Sequence, residues 1–189
     1  AGMSGVVGVL DDNVALQGTE ISGVPIVGGV AAAADRSERL LICIGPGAGR
    51  RRVARQLARL GVCDGRYASF VAPSARLGLT STIGAGSVVL DGAVVTADAA
   101  LGRHVVVMPN CTITHDDVLA DFATLAAGAA LAGGVHLGEA AYIGMNVSVR
   151  QGLRVGSDAT IGMGAVVLED VPAGQTWAGV PARRIGVSE

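Results

Sequence analysis

Every sixth residue from Val71 onward reads Val71, Leu77, Ile83, Val89, Val95, Leu101, Val107, Ile113, Leu119, Leu125, Leu131, Leu137, Ile143, Val149, Val155, Ile161 and Val167. All seventeen are Val, Leu or Ile, types that supply only 52 of the 189 residues. The odds of this by chance are below about one in a million, even with free choice of register. Four residues after each aliphatic position, small or medium residues dominate, among them Ala75, Ser81, Ser87, Ala93, Val105 and Cys111. Glycine often follows the aliphatic residue directly, as in Ile83-Gly84, Leu137-Gly138, Ile143-Gly144 and Ile161-Gly162. A period of six matches neither a helix nor a simple alternating strand, but it fits short strands joined by tight corners. Three hexads close one triangular coil. The aliphatic residue points into the prism, the small residue fits where walls converge, and glycine tolerates the corner backbone. The pattern predicts a parallel β-helix of nearly six coils, stacked about 4.8 Å apart. The aromatic content of 3% agrees, because a narrow prism has little room for rings.

Before residue 71 the repeat is absent and strand and helix signals alternate. Gly5 to Leu10 reads as a buried strand ending in Asp11-Asp12, followed by a loop and the turn-like segment Ser22–Gly28. Leu40 to Ile44 reads as a second buried strand, Gly45-Pro46-Gly47-Ala48-Gly49 as a turn, and Arg50 to Leu60 as an amphipathic helix. This predicts a small, truncated, Rossmann-like α/β domain with a parallel sheet over residues 1–70, expected to take the substrate, ahead of the β-helix of residues 71–171. Residues 172–189 read as a tail leaving the helix.

Net charge is −2, which offers no footprint for nucleic acid or an anionic membrane surface. Cys43, Cys63 and Cys111 form an unpatterned set with neither a disulfide framework nor a zinc spacing, as suits a cytoplasmic protein. The start Ala1-Gly2-Met3 shows no basic segment before an apolar run, so no signal peptide is expected. The longest uncharged apolar stretch, 122 to 135, is too short and glycine-rich to enter a bilayer as a span. All 14 basic residues are arginine, which reads as base composition of the genome. Small molecules and copies of the chain itself remain as partners.

The repeat together with Gly179-Val180-Pro181-Ala182-Arg183 resembles the hexapeptide acyltransferase superfamily, whose members fold as left-handed β-helices and use acetyl-CoA or related thioesters. Within it, Gly8–Asp12, Ser22–Gly28, Thr114-His115-Asp116 and Leu131–Val135 look like the NeuD/PglD group of sugar O- and N-acetyltransferases. The likeness covers nearly the whole chain. It implies a homotrimer, an acetyl-CoA co-substrate without a metal, and a sugar or nucleotide-sugar acceptor.

His115 falls at a corner of its hexad, where a side chain points outward. Acyl transfer from a thioester needs a base for the acceptor's proton and a donor for the tetrahedral oxyanion. His115 suits the first task, with Asp116, alone or with Asp117 or Asp121, orienting its ring. One coil is eighteen residues, so Gly133 lies directly above His115, with no side chain to block its amide. It matches the family position whose N–H meets the thioester carbonyl, and it equally suits a corner that needs glycine. Gly134 beside it, and Gly179, Pro181, Arg183 and Arg184 in the tail, are candidate contacts for coenzyme A, arginine being suited to phosphates. His104 and His136 read as surface or interface histidines, and Cys111 as packing.

Asp11, Asp12, Gly45 and Asn110 are candidate acceptor contacts. The family commonly has Asn seven residues before the histidine, where this chain has Met108 with Asn110 nearby. The strand and glycine-rich phosphate turn that open the relatives' N-terminal domain are missing, and Gly45–Gly49 is a weaker substitute. Two other readings of the same coil are a γ-type carbonic anhydrase, which needs three converging histidines on zinc, and a scaffold without catalysis.

Overall fold

The computed structural model describes residues 5–186, so the leader reading of Ala1-Gly2-Met3 lies outside the described residues. From Phe70–Val71 to Val166–Val167 the chain forms two-residue strands every six residues. Within the stack each pairs in parallel with the strands eighteen residues before and after: Val106 with Val88 and Thr124, Thr112 with Val94 and Ala130, Val118 with Ala100 and His136. Three parallel sheets result, and they are the three walls of the prism. The aliphatic positions from Val89 to Val167 all enter one buried core, each side chain contributing roughly 1.5–3 kcal/mol. Val71 and Leu77 stay exposed because no coil lies beneath them.

The corners work differently from the expectation. From Ile83 to Ile161, left-handed backbone falls three residues after each aliphatic residue, at Asp98, His104, Asn110, Asp116, Phe122, Ala140, Asn146 and Asp158 and at glycines such as Gly128 and Gly134. The glycines immediately after the aliphatic residues have no such torsion. A Cβ on Gly84 would meet the Gly102 backbone, and one on Gly138 the backbone of Ser157. Those glycines therefore serve close stacking of coils, and Asp, Asn and His share the left-handed corners with glycine.

The C-terminal segment is not a free tail. Thr176–Ala178 adds a parallel strand on Thr160–Ile161, with Trp177 over Ile161, and Arg183–Arg184 returns antiparallel to it. Trp177 is buried and closes the top of the prism, its indole N–H donating to Gln175 Oε1 at 2.9 Å.

N-terminal to the coils, β1 (Val9–Leu10), β2 (Glu20–Ile21) and β3 (Val24–Gly28) form a mixed sheet in the order β1-β3-β2. β1 runs parallel to β3, and β2 antiparallel to it. Ser22-Gly23 makes the reversal and Val24–Gly28 is the central strand instead of a turn. The expected strand Leu40–Ile44 reduces to a bridge between Leu40 and Tyr67, since no neighbour offers a ladder and the Ile44 carbonyl is taken by Arg50. A mixed three-stranded sheet thus stands where a parallel one was predicted. Helix α1 (Gly47–Arg59) starts three residues earlier than expected, inside the glycine-rich turn. Gly47 lets this start lie on the prism: a Cβ there would strike the Phe122 carbonyl and sit 3.2 Å from Ala140 Cα.

Arg50 pins the two parts together. It is wholly buried without a carboxylate partner, and donates to the carbonyls of His104, Ile44, Gly45, Phe122 and Ala123 and to Thr124 Oγ1. Burial lowers its guanidinium to about 10, so it stays charged at neutral pH. Beside it His104 is buried, contrary to the surface reading, between the edge of Tyr67 and the stacked face of Phe122 at centroid distances of 4.5 and 5.1 Å. Each buried acceptor left without a donor costs about 1–3 kcal/mol. Arg50→Ala is therefore expected to lower stability by at least about 3 kcal/mol in urea unfolding, and Arg50→Lys, with fewer donors, to recover less than half of it.

Candidate active site

His115 follows the strand Thr112–Ile113 and stands at the corner before Val118–Leu119. Its side chain is 67% exposed, and its Nδ1 lies 2.8 Å from Asp116 Oδ2. Asp116 occupies the left-handed corner position, with φ 61, a conformation that Asp tolerates better than most residues. An ionised carboxylate can only accept, so Nδ1 carries the proton and Nε2 keeps a free lone pair. The Asp116 hydrogen bond raises the imidazole above its ordinary value, which strengthens it as a base. Neither Asp121 nor Asp117 bonds the ring: Asp121 holds the Arg103 side chain and amide.

Gly133 stands one coil above, and a Cβ there would crowd the Cε1 and Nε2 atoms of His115. The eighteen-residue register therefore brings the expected pair face to face. Gly133 N–H has no acceptor among the described residues, whereas the Gly134 amide is bonded to the His115 carbonyl at 2.9 Å. Gly134 enters the site as the left-handed turn, φ 71, with no amide to spare for a ligand.

Asp117, between these two turns, is the residue here that the periodicity obscured. It occupies the inward position where other hexads carry Ala, Ser, Val or Cys, and it is fully buried. Its Oδ2 accepts from the Thr114 amide and its Oδ1 from the Val135 amide, each at 2.8 Å. Burial pushes its carboxyl up to about 6 despite those two donors. Charge at a small-residue position was the available signal. Thr114 Oγ1 beside it is buried without a partner.

The other candidates lie elsewhere. Asn110 takes the left-handed corner at the opposite end of the His115 wall, its Oδ1 filling the space over Gly92. Asp11 and Asp12 sit at the carboxyl ends of β1 and β3, where Asp11 Oδ1 accepts from Asn13 and Asp12 Oδ1 from Val30. The Gly45 carbonyl accepts from Arg50, so its turn is bound up in docking α1. Gly179 and Ala182 bracket Val166, three coils above Ile113 on the His115 wall, through Val166 N–H to Gly179 O and Ala182 N–H to Val166 O. Pro181 and Arg184 are exposed there, and Arg183 pairs with Glu169 at 2.8 Å. His136 stands on the next wall between Val118 and Arg154. Cys111 is buried, its thiol donating to Ala126 O and raised by burial, so it packs. Among the described residues no three His, Cys, Asp or Glu side chains cluster as a metal site, and no helix is long and apolar enough to cross a membrane.

No protein-family model and no curated protein matches the chain. Solved structures do. The acetyltransferase domain of PglB from Neisseria gonorrhoeae FA1090, in complex with acetyl coenzyme A, is 34% identical with a TM-score of 0.86, over 96% of this chain and 87% of that one. PerB from Caulobacter crescentus, in complex with CoA and GDP-perosamine, is 30% identical with a TM-score of 0.82, over 95% and 84%. A histidine-to-asparagine variant of perosamine N-acetyltransferase from the same organism, with the same two ligands, is 28% identical with a TM-score of 0.84, over 95% and 85%.

The raised carboxyl of Asp117 has a consequence for stability. Between the ordinary carboxyl value and about 6 the folded protein holds a proton that the unfolded chain has released, so stability falls as pH rises through that window. Relative to Asp117→Asn, the wild type is expected to lose about 2 kcal/mol between about pH 4 and 6.5, read from urea unfolding at successive pH values.

Proposed function

Because the chain belongs to the hexapeptide-repeat acetyltransferases, we propose that it transfers the acetyl group of acetyl-CoA to an amino or hydroxyl group of a nucleotide-linked sugar, with His115 as general base. The observation that carries this reading is His115 itself: exposed, held through Nδ1 by Asp116, with Nε2 beneath a glycine whose amide has no other acceptor. The relatives that hold GDP-perosamine, one described as an N-acetyltransferase, make a nucleotide-linked amino sugar the first acceptor to test.

In this mechanism His115 Nε2 takes the proton of the acceptor as its nitrogen or oxygen attacks the thioester carbonyl carbon. The Gly133 N–H donates to the oxyanion that forms, and Asp116 stabilises the imidazolium. When the intermediate collapses, the carbon–sulfur bond breaks and the imidazolium returns its proton to the coenzyme A sulfur. The acetylated acceptor and the free thiol leave, and no covalent enzyme intermediate is required. A residue that moves the proton without supplying most of the binding can be replaced with ligands still bound, and the histidine variant from Caulobacter is in complex with both of its ligands.

The coenzyme runs up the His115 wall toward the turn of Gly179, Pro181, Arg183 and Arg184, about 14 Å above if each coil adds 4.8 Å. Arginines there suit its phosphates. Asp11 and Asp12, at the carboxyl ends of a parallel strand pair, stand where α/β sheets hold ligands and can accept from sugar hydroxyls. The left-handed coil assembles as a homotrimer in this reading, since Val118, Met145 and Met163 are apolar, exposed and on the outer surface of the prism. A cleft between two prisms would shield His115 from bulk water.

A screen of nucleotide-linked amino sugars, GDP-perosamine included, should give thiol release and an acetylated product by mass. With that acceptor, His115→Ala should lower kcat by about 10²–10⁴-fold while acetyl-CoA affinity stays nearly unchanged in calorimetry; His104→Ala, if folded, and His136→Ala should keep most activity. Retention of more than about a tenth of kcat in His115→Ala would remove it from the mechanism. Light scattering should give three times the 18.8 kDa chain mass, and a monomer at micromolar concentration would count against the shared cleft.

A further inference from the structure

One rung of the ladder between coils differs from the others. The residue after each inward aliphatic donates its amide to the coil above: Thr96 to Ile113, Gly102 to Leu119, Met108 to Leu125, Ala120 to Leu137 and Ala132 to Val149. Next to His115, Ile113 stays paired with Leu131 in this register, and the Thr114 amide makes its hydrogen bond of 2.8 Å to Asp117 Oδ2. The turn above is altered as well. Ala123, Ala129 and Ala141 close their turns on the carbonyl three residues back, but Val135 leaves Ala132 and donates to Asp117 Oδ1.

Two serines at the same inward position show what is different. Ser81 Oγ accepts the Ala99 amide and donates to the Thr96 carbonyl; Ser87 Oγ accepts the Val105 amide and donates to the Gly102 carbonyl. A hydroxyl has a proton for that carbonyl, and a carboxylate has none. An ionised Asp117 needs donors on both oxygens, and it draws one from the turn of His115 and the other from the turn of Gly133. A buried carboxylate is a costly residue for a position that alanine fills elsewhere, which calls for a use.

We propose that Asp117 is the positioning residue of this site, its carboxylate bridging the Thr114 and Val135 amides so that the His115 turn is held at a set offset from the Gly133 turn. This rests on the reading of His115 as base and the Gly133 amide as oxyanion donor. The bridge ties the two turns at the level where two reacting groups from successive coils must meet a common carbon. It does not touch the reactants, and the Asp117 oxygens stay inside the prism.

Asp117→Ser installs the group that Ser87 carries and should remove the tie to the Thr114 amide. The test compares wild type, Asp117→Ser, His115→Ala and the double variant by thiol release from acetyl-CoA, with the best acceptor of the screen or with water if none turns over. Unfolding and acetyl-CoA calorimetry are run in parallel. A misplacement near 1 Å costs about 10²-fold, so Asp117→Ser is expected to lose about 10–100-fold in kcat while KM and affinity for acetyl-CoA change less than about threefold. On the His115→Ala background it should change the rate by less than about threefold, because no base remains to be positioned. Asp117→Asn, which keeps the size and only one acceptor oxygen, serves if the serine variant fails to fold and should show the same split. Wild-type kcat in a folded, acetyl-CoA-binding Asp117 variant, alongside an inactive His115→Ala, would overturn the positioning role alone. Full turnover in His115→Ala would overturn the base assignment, and the positioning role with it.

Discussion

The registration of each coil over the one below controls the contacts within the prism. A residue on a wall meets the residues eighteen before and after it, so distance along the sequence converts into a vertical neighbour with little freedom for side-chain choice. The aliphatic core enforces this, because a slip of one residue would turn Val, Leu and Ile outward and bring polar residues in. The glycines after the aliphatic residues support it differently. They let one coil's backbone approach the next where a Cβ would collide, as at Gly84 and Gly138.

Chemistry becomes possible in such a rod at its corners. On the walls, outward residues stand in rows that suit packing. At a corner the chain enters left-handed backbone, and the residue before it projects away from the prism. His115 has that place, and the corner residue that follows it, Asp116, is near enough to bond the ring. Asp at a left-handed corner is ordinary here, since Asp98 and Asp158 do the same structural work. The backbone accounts for an Asp at 116, and the histidine beside it gives that carboxylate a second role.

The N-terminal part reaches the prism at a different corner, that of His104, Phe122 and Ala140. Its attachment is polar at the centre: one buried arginine answers main-chain carbonyls from both parts, while His104 packs between Tyr67 and Phe122 beside it. A guanidinium with five donors can satisfy acceptors that no apolar residue could. Arg51 adds an outer contact through Asp158 and Glu139, on the exposed face where ion pairs count for less.

The sequence alone determined the coil, the inward residues and the facing of His115 and Gly133, because a strict period of six makes each of these a matter of counting. It did not reveal why Gly84 or Gly138 is glycine, that Trp177 caps the prism, or that β3 joins a mixed sheet, since each depends on backbone from distant parts of the chain. The burial of His104 and the reach of Arg50 likewise needed the docked helix. Asp117 marks the boundary most clearly. Its position was countable, but its two amide partners come from turns whose usual hydrogen bonds give way to it, and only three-dimensional competition among donors and acceptors decides that exchange.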